Sequence, residues 1–173
     1  NLSEHCLEVG ILTHALCLIG NKKEHKHLSV EKAVLRALYH DAAEILTGDM
    51  PTPVKYRKEE LKTAYKKVEK EAEERLLSTL PPYLTEEIRG VFFPEEYETL
   101  AYENQLIKAA DKLSAWIKCE EVRAGNREFE TAALSTKQKI EEMAENLPEV
   151  RIFLDDFYAA YGKTLDQLTE EAD

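Results

Sequence analysis

Cysteine, glycine and proline are scarce in this sequence of 173 residues, and each scarcity excludes a class of protein. The three cysteines, Cys6, Cys17 and Cys119, are far apart and odd in number, so we expect neither a disulfide framework nor a thiolate zinc site. Six glycines and six prolines are too few for a loop-rich β-sandwich or a disordered tail. No apolar run approaches the roughly 20 residues that span a bilayer. These features predict a cytoplasmic protein without membrane association.

Basic residues are also in the minority. The 23 Lys and Arg residues stand against 34 Asp and Glu residues, which gives a net charge of −11. Residues 57–173 carry −10 of this charge and residues 1–56 only −1. Because such a surface repels polyanions, we expect no nucleic-acid polymer and no anionic membrane as a partner. A small phosphorylated ligand is compatible with it, since one site can be locally positive or hold a metal ion.

Helical periodicity dominates the chain. Apolar residues recur at spacings of three and four, with no strand-like alternation and no internal repeat. Proline, glycine and polar segments divide this pattern. We predict helices over 1–19, 30–46, 57–80, 85–93, 103–124, 126–147 and 148–161, with a short last piece capped by Thr164. The pattern indicates an all-α single domain whose acidic last third packs as an outer layer.

The helix predicted over 30–46 carries three ionisable residues, His40, Asp41 and Glu44. At 100° per residue they share one sector with the small side chains of Ala33 and Ala37. The predicted core face is formed by Val34, Leu35, Leu38, Ile45 and Leu46. The face predicted to meet solvent carries Lys32, Arg36 and Tyr39. The ionisable trio is either a partly buried histidine paired with a carboxylate or part of a metal site that needs further ligands.

Five histidines are available for such a site, and none follows residue 40. His25 and His27 lie in a Lys-rich connector and are predicted to be solvated. His5 and His14 share the first helix but lie half a turn apart, so only one of them can face the site. His5 is the candidate third ligand, and a space-filling role for it stays open.

Two aspartates elsewhere in the chain are candidates for the site, Asp111 as a ligand and Asp49 as a neighbour in the cleft. Asp111 lies in the middle of a predicted helix, where Asp is a poor helix former. It either pairs with Lys108 or Lys112 at the surface or serves as a second carboxylate ligand. Asp49, in the TGDMPTP loop, either bonds the local backbone or faces the same cleft. Two His and two Asp without thiolate suit one divalent ion such as Mn, Co, Fe, Ni or Zn, with open positions for water.

The pattern H…HD…D, formed by His5, His40, Asp41 and Asp111, resembles the signature of the HD-domain metal-dependent phosphohydrolases. Three longer segments, NLSEHCLEV, LYHDAAEILTGDMPTPVKY and IKAADKLSAWIKCEE, resemble the bacterial 5′-deoxynucleotidases of that superfamily. The likeness covers residue 1 to about 130 and weakens beyond it. It implies an HD-domain helical bundle, with a metal phosphohydrolase core over 1–130 and an acidic helical extension over 131–173 packed on that core.

The resemblance also implies an activity and residue roles. The activity is removal of phosphate from deoxynucleoside 5′-monophosphates by an enzyme that forms homodimers. The metal ligands that it implies are His5, His40, Asp41 and Asp111. Glu44 corresponds to the family's catalytic glutamate, and Asp49 corresponds to a further aspartate needed for activity. Lys55 and Lys112 are further candidates for contacts with substrate phosphate.

The chain departs from the family pattern at its first residues. Family members carry an additional N-terminal helix whose Arg-Trp pair contacts phosphate and sugar. Either the natural N-terminus of this chain lies upstream of Asn1, as we expect, or part of its substrate recognition comes from elsewhere. One rival interpretation is an HD phosphohydrolase that acts on a cyclic nucleotide, a guanosine polyphosphate or another phosphate ester. The other is a non-catalytic, acidic helical interaction module in which the His and Asp residues are structural.

Overall fold

A computed structural model of the chain describes residues 1–48, 50, 58–93, 100–122 and 127–161. Its elements are, in order, α1 (Leu2–Lys22), α2 (Val30–Tyr39), α3 (Glu44–Thr47), α4 (Glu59–Ser78), α5 (Pro82–Phe92), α6 (Ala101–Val122), α7 (Arg127–Asn146), α8 (Pro148–Phe157) and a 3₁₀ turn at Tyr158–Ala160. No β-strand occurs in these residues, and the predicted all-α class is confirmed. The piece predicted after Thr164 lies outside the described residues.

Helix α1 is the centre of the bundle. The side chain of Asn1 accepts a hydrogen bond of 3.0 Å from the backbone N–H of Ser3, which caps the first turn. Val9, Leu12 and Leu16 are buried and pack into a core shared with α2, α6 and α8. Each such side chain contributes about 1.5–3 kcal/mol when it leaves water.

The length and composition of α1 differ from what we expected. By these two measures alone, Leu2–Lys22 is long and apolar enough to cross a membrane, contrary to the prediction that no segment is. In the bundle its buried side chains, Val9 and Leu16 among them, belong to the protein core. Packing against other helices therefore accounts for the buried share of this apolar window, which is 39%.

One core also joins the C-terminal helices to the rest. Its buried side chains come from α1, α2, α6, α7 and α8, and those of the last two helices are Ile140, Ala144, Leu147, Val150 and Phe153. Helices α7 and α8 therefore bury apolar surface against α1 and α6, which carry His5 and Asp111. The division of the chain at residue 130 stays a prediction.

The buried side of α2 is not the one that we predicted. Ala33 and Ala37 are fully buried and Arg36 is 9% exposed, whereas Leu35 and Leu38 are exposed by 46% and 39%. Ile45 and Leu46, also predicted to be core residues, are exposed by 65% and 49%. The alanines form the buried side of α2, which packs against α1, and small side chains let two helices approach closely.

The helix predicted over 30–46 is interrupted after Tyr39. The backbone N–H groups of Ala42, Glu44 and Ile45 bond to carbonyls three residues back, at 3.0, 2.9 and 3.2 Å. Such bonds wind the chain to about three residues per turn and align side chains three apart. The side chains of Asp41 and Glu44 are therefore closer to alignment than the 100° spacing of an α-helix predicted.

Helices α4 and α5 form a pair at the edge of the bundle, against α3 and α2 respectively. Arg89 of α5 donates two hydrogen bonds of 2.8 Å to the two carboxylate oxygens of Glu74 of α4. The Arg89 guanidinium and the Lys70 ammonium both lie over the ring of Phe93, which is buried. This pair supplies one wall of a cleft beside His40.

Candidate metal centre

Four side chains from distant parts of the sequence meet where α1, the turns after α2 and α6 come together. His5 Nε2 lies 3.4 Å from Asp41 Oδ2 and 3.3 Å from Asp111 Oδ1. His40 Nε2 lies 3.1 Å from the same Asp41 oxygen. One ligand atom from each of His5, His40 and Asp41 lies within 4.8 Å of the others. The structure thus brings together the four residues predicted as a ligand set, and their role as ligands stays a prediction.

The cluster is shielded but reachable from solvent. The side chains of His5 and His40 are exposed by 20% and 14%, and those of Asp41 and Asp111 by 27% and 28%. A cleft of about 320 Å³ opens beside it and is lined by His40, Asp41, Ala43, Glu44, Lys66, Glu69, Lys70, Glu73 and Phe93. A small charged ligand can therefore reach the cluster without unfolding of the surrounding helices.

The ring of His40 is oriented by its own helix. Its Nδ1 lies 2.7 Å from the carbonyl oxygen of Ala37, and a carbonyl only accepts, so Nδ1 carries the hydrogen. In the neutral ring Nε2 then holds a lone pair. This Nε2 is buried and has no hydrogen-bond partner among the described residues, although Asp41 lies within ion-pair distance. An imidazole held in this way by a backbone carbonyl has the arrangement of a metal ligand.

The imidazoles and carboxylates shift one another's pKa. Hydrogen bonds to Asp111 and Asp41 raise the pKa of His5 to about 9. Burial alone would raise the pKa of Asp41, but interactions with His40 and His5 outweigh it and lower that pKa below its usual value. Burial likewise opposes the effect of His5 and Lys112 on Asp111, whose pKa is also lowered. A divalent cation and a proton would therefore compete for His5 Nε2.

The remaining predicted residues lie around this cluster or outside the described part. Glu44 opens α3 and lines the cleft together with His40 and Asp41. Lys112 Nζ donates a hydrogen bond of 2.8 Å to Asp111 Oδ2, so Asp111 both pairs with a lysine and faces His5. Asp49 and Lys55 lie outside the described residues.

The other histidines are away from the cluster. His14 is exposed on α1, and its position half a turn from His5 agrees with the prediction that only one of the two faces the site. His25 and His27 are exposed, as predicted.

Two residues that contact or support the far side of the His5 ring, Ser114 and Glu8, were not predicted from the sequence. Ser114 Oγ lies 3.0 Å from His5 Nδ1, and Ser114 donates a hydrogen bond of 2.8 Å to Glu8 Oε2. Glu8 follows His5 by three residues and Ser114 follows Asp111 by three, which is the spacing of neighbours on a helix face. That spacing was the available signal. It gains meaning only when the register between α1 and α6 is known.

Comparison with known proteins gives several matches over most of the chain. A family model described as 5′-deoxynucleotidase YfbR-like matches residues 1–161, which extends past the segments that carry the motifs. A 5′-deoxynucleotidase of Vibrio vulnificus strain YJ016 is 43% identical over 171 residues, covering 98% of this chain and 86% of that protein. A 5′-deoxynucleotidase of Shewanella oneidensis is 41% identical over 173 residues, with the same coverage of each chain, 98% and 86%.

Solved structures show the same architecture. An HD-domain phosphohydrolase from Listeria innocua superposes with a TM-score of 0.80 at 22% identity, covering 99% of this chain and 84% of that one. A conserved hypothetical protein from Pyrococcus furiosus superposes with a TM-score of 0.54 at 28% identity, covering 86% and 81%. The first of these likenesses confirms the predicted HD-type helical bundle.

Proposed function

We propose a function from one premise, that this chain belongs to the YfbR-like 5′-deoxynucleotidase family. The chain is a metal-dependent phosphomonoesterase that hydrolyses deoxynucleoside 5′-monophosphates to deoxynucleosides and phosphate. The observation that carries this proposal is the convergence of two imidazoles and two carboxylates from three parts of the chain on one half-buried point beside a cleft.

The residues at that point fit one divalent metal ion. The proposed ligands are His5, His40, Asp41 and Asp111. Two nitrogen and two carboxylate ligands suit Mn, Co, Fe, Ni or Zn. Among the described residues, the buried Nε2 of His40 has no hydrogen-bond donor and faces the carboxylate of Asp41, and this supports the fit, because a cation can be shared by an imidazole lone pair and a carboxylate. A divalent ion bound there would supply positive charge against the phosphate dianion and lower the pKa of a water molecule toward about 7.

The neighbouring acidic residues handle the proton and the leaving group. Glu44 lies in the cleft one turn beyond Asp41, and we assign it to orienting the attacking water and accepting its proton. Asp49 follows in the sequence, and we assign it to the sugar or to the leaving 5′-oxygen. Phosphoryl transfer depends mainly on positioning and charge, so a cleft built from helix ends is sufficient.

The cleft has room and charge for a nucleotide. Beside the cleft of about 320 Å³ lies a second depression of about 500 Å³. Its lining includes His40, Asn104, Lys108 and Asp111. Depressions of this size hold small ligands in proteins. Lys112 neutralises Asp111 through its 2.8 Å hydrogen bond, so its effect on phosphate is indirect, and we keep Lys55 as a candidate for direct contact.

A pair of variants tests the assigned roles. Glu44→Ala should keep one metal ion per chain while phosphate release from dAMP falls by at least about 100-fold, the contribution of general base catalysis. Asp111→Ala should lose the metal ion, which elemental analysis would detect. Glu31→Ala, an exposed carboxylate on α2, is the control and should change neither quantity. Normal turnover in Glu44→Ala, or full metal content in Asp111→Ala, would contradict the corresponding role.

A substrate panel separates this proposal from its rivals. Phosphate release is compared for dAMP, AMP, cyclic AMP, a guanosine polyphosphate and an aryl phosphate. We expect the highest kcat/KM for the deoxynucleotide. A preference for the cyclic nucleotide or the polyphosphate would assign the chain to another HD phosphohydrolase activity. No metal and no hydrolysis of any ester would favour a non-catalytic interaction module.

We also propose that the chain forms a homodimer through an apolar face shared by α1 and α2. Leu7, Ile11 and Leu38 are exposed by 58%, 61% and 39%. Leu38 packs against Gly10, where an added Cβ would come within 3.0 Å of it, so the two helices present one continuous surface. Contiguous exposed leucine and isoleucine side chains mark association sites. Sedimentation velocity should show a dimer that Ile11→Glu dissociates, and a monomeric wild-type chain would contradict this.

The proposed compartment is the cytoplasm. All three cysteines, Cys6, Cys17 and Cys119, have free thiols. Burial raises the pKa of the Cys17 thiol to about 12, which makes it unreactive. Unpaired cysteines of this kind suit a reducing compartment, where disulfides are rare.

A further inference from the structure

A chain of polar groups lies behind His5, on the side of the ring opposite the two aspartates. Ser114 Oγ is 3.0 Å from His5 Nδ1 and donates a hydrogen bond of 2.8 Å to Glu8 Oε2. Lys118 Nζ lies 3.2 Å from the same Glu8 oxygen. Ser114 is fully buried, so its hydroxyl has these protein groups as its partners. None of these three residues has a role in the function proposed above.

The direction of the hydrogen bonds follows from what each group can donate. A serine hydroxyl has one hydrogen, and here it goes to the carboxylate of Glu8, which only accepts. Ser114 Oγ therefore offers a lone pair to His5, and Nδ1 of His5 must carry the hydrogen between them. In a neutral imidazole the lone pair then lies on Nε2, the atom that faces Asp41 and Asp111.

Lys118 provides the competing arrangement. Its ammonium lies 3.3 Å from His5 Nδ1 and could donate to it only if the hydrogen of the neutral ring sat on Nε2. That ring would point an N–H, and no lone pair, at the aspartates. Because Glu8 is 3.2 Å from the same ammonium and has the opposite charge, the charge-assisted pair between Lys118 and Glu8 is the stronger of the two.

Both histidines of the cluster thus carry the hydrogen of the neutral ring on Nδ1, but different partners hold it there. His40 Nδ1 bonds to the backbone carbonyl of Ala37 at 2.7 Å, within its own turn. His5 Nδ1 bonds to a side chain of another helix, and that side chain is itself held by Glu8. A backbone carbonyl cannot be replaced by substitution, whereas Ser114 and Glu8 can, which makes the arrangement behind His5 open to experiment.

We propose that Ser114 and Glu8 are positioning residues that keep the hydrogen of His5 on Nδ1 and so leave Nε2 available to the metal ion. The proposal rests on the function proposed above, since it requires that a metal ion binds at His5. Loss of a group that orients a metal-bound histidine typically weakens metal affinity by about 10- to 100-fold. We expect a change of that size for Ser114→Ala and a smaller change for Glu8→Gln, whose amide oxygen can still accept from Ser114.

The first experiment examines the wild-type chain directly. Protein with ¹⁵N-labelled histidine is loaded with Zn²⁺, and its ring nitrogens are assigned by NMR with His5→Gln as the reference. We expect a His5 Nδ1 that carries a slowly exchanging hydrogen and an Nε2 without one. A hydrogen on Nε2, or a zinc ion bound through Nδ1, would overturn the proposal. This measurement needs no variant at positions 8 or 114 to fold.

The second experiment measures Zn²⁺ affinity by competition with a chelator. Ser114→Ala should bind about 10- to 100-fold more weakly and lose the slow exchange of the Nδ1 hydrogen, which a purely structural role of Ser114 would not change. The control for the serine is Thr13→Val, because Thr13 carries a buried hydroxyl on α1 that has no hydrogen-bond partner among the residues that the structure describes. The control for the carboxylate is Glu4→Gln, an exposed position one turn earlier than Glu8.

The outcomes separate this proposal from the one on which it rests. Unchanged Zn²⁺ affinity in Ser114→Ala, with the wild-type chain binding one ion, would overturn the role of Ser114 and leave the proposed function standing. Wild-type protein that binds no Zn²⁺ and no other divalent ion at this point would overturn both.

Discussion

Two groups of charged side chains lie toward opposite ends of the contact between α1 and α6, and they differ in how their polar atoms are paired. At one end, Glu149 of α8 is fully buried, and its two oxygens accept hydrogen bonds of 2.5 Å from Lys26 and 2.9 Å from Tyr102. At the other end, two carboxylates converge on His5 Nε2, and His40 Nε2 has no hydrogen-bond partner in the part of the chain that the structure describes. The first group has a donor for each acceptor and the second has an excess of acceptors.

This difference separates a group whose polar atoms are paired within the protein from a group whose polar atoms are not. Buried polar atoms are nearly always paired, because an unpaired one costs about 1–3 kcal/mol. The Glu149 group meets that condition within the protein and needs nothing further. The His5–His40 group meets it only with a cation or a proton between its acceptors. Variants that affect one group and spare the other should therefore separate stability from activity.

The largest effect is expected from Asp41→Asn. Asp41 Oδ2 lies within 3.4 Å of both imidazoles, so the substitution removes the negative charge that both histidines face and, in the proposed function, one metal ligand. We expect phosphate release from dAMP to fall by at least about 1000-fold, which corresponds to about 4 kcal/mol of transition-state stabilisation. Phosphate assays and elemental analysis provide the measurement. Activity within tenfold of wild type would remove Asp41 from the site.

The converse variant, Glu149→Ala, should affect stability alone. It leaves Lys26 and Tyr102 without their shared acceptor, and breaking a buried ion pair costs about 3 kcal/mol. Urea unfolding measures the loss, and metal content per folded chain should stay at one. Glu145→Ala, at an exposed position near the end of α7, should change the unfolding free energy by less than about 0.5 kcal/mol. A matching loss in both variants would show that the pairing of Glu149 contributes nothing.

A pH series tests whether Asp41 and Asp111 raise the pKa of His5. The pKa of His5 is raised from 6.5 to about 9, so the protonated ring stabilises the metal-free fold fully below pH 6.5. This stabilisation is lost as pH rises through 9 and amounts to no more than about 3 kcal/mol. The Tm of metal-free protein should fall over that window, and His5→Gln should flatten the fall. A Tm that is constant from pH 6.5 to 9 in the wild-type chain would contradict the raised pKa.

The smallest effect is expected at a buried polar atom that belongs to neither group. Thr13 Oγ1 is fully buried on α1 and has no hydrogen-bond partner within the described ranges of the chain. Thr13→Val keeps the shape and removes that hydroxyl, so we expect a gain of up to about 1 kcal/mol in unfolding free energy with unchanged metal binding. A marked loss of stability in thermal unfolding would reveal a partner for this hydroxyl in solution.

Helix positions could be predicted from the sequence because apolar periodicity and proline breaks are local signals. The orientation of α2 could not, because it depends on which side meets α1. The 100° spacing of apolar residues predicted that Leu35 and Leu38 are buried. The alanine side is buried instead, because close approach of the two helices favours small residues there. The i→i−3 turns after Tyr39 were missed for a related reason: no proline or glycine marks them.

The sequence predicted the four candidate metal ligands but not the residues that hold His5 in place. Residue type and spacing, together with the resemblance, selected His5, His40, Asp41 and Asp111, and the structure brings all four together. Ser114 and Glu8 were not predicted, because they lie on separate helices. Their contact with His5 can be recognised only once the register between α1 and α6 is known. The hydrogen-bond partners of a candidate metal-binding side chain are therefore harder to predict from sequence than the side chain itself.

The bond from His40 Nδ1 to the Ala37 carbonyl lies within a single turn, so this half of the cluster is set by local backbone alone. His5, in contrast, lies in the first turn of α1, and the aspartates that it faces belong to other parts of the chain. A ligand that requires both histidines will fasten that turn to the rest of the bundle. Amide hydrogen exchange at the start of α1 should then slow when the site is filled, and it would report occupancy far more sensitively than exchange in the interior of α6.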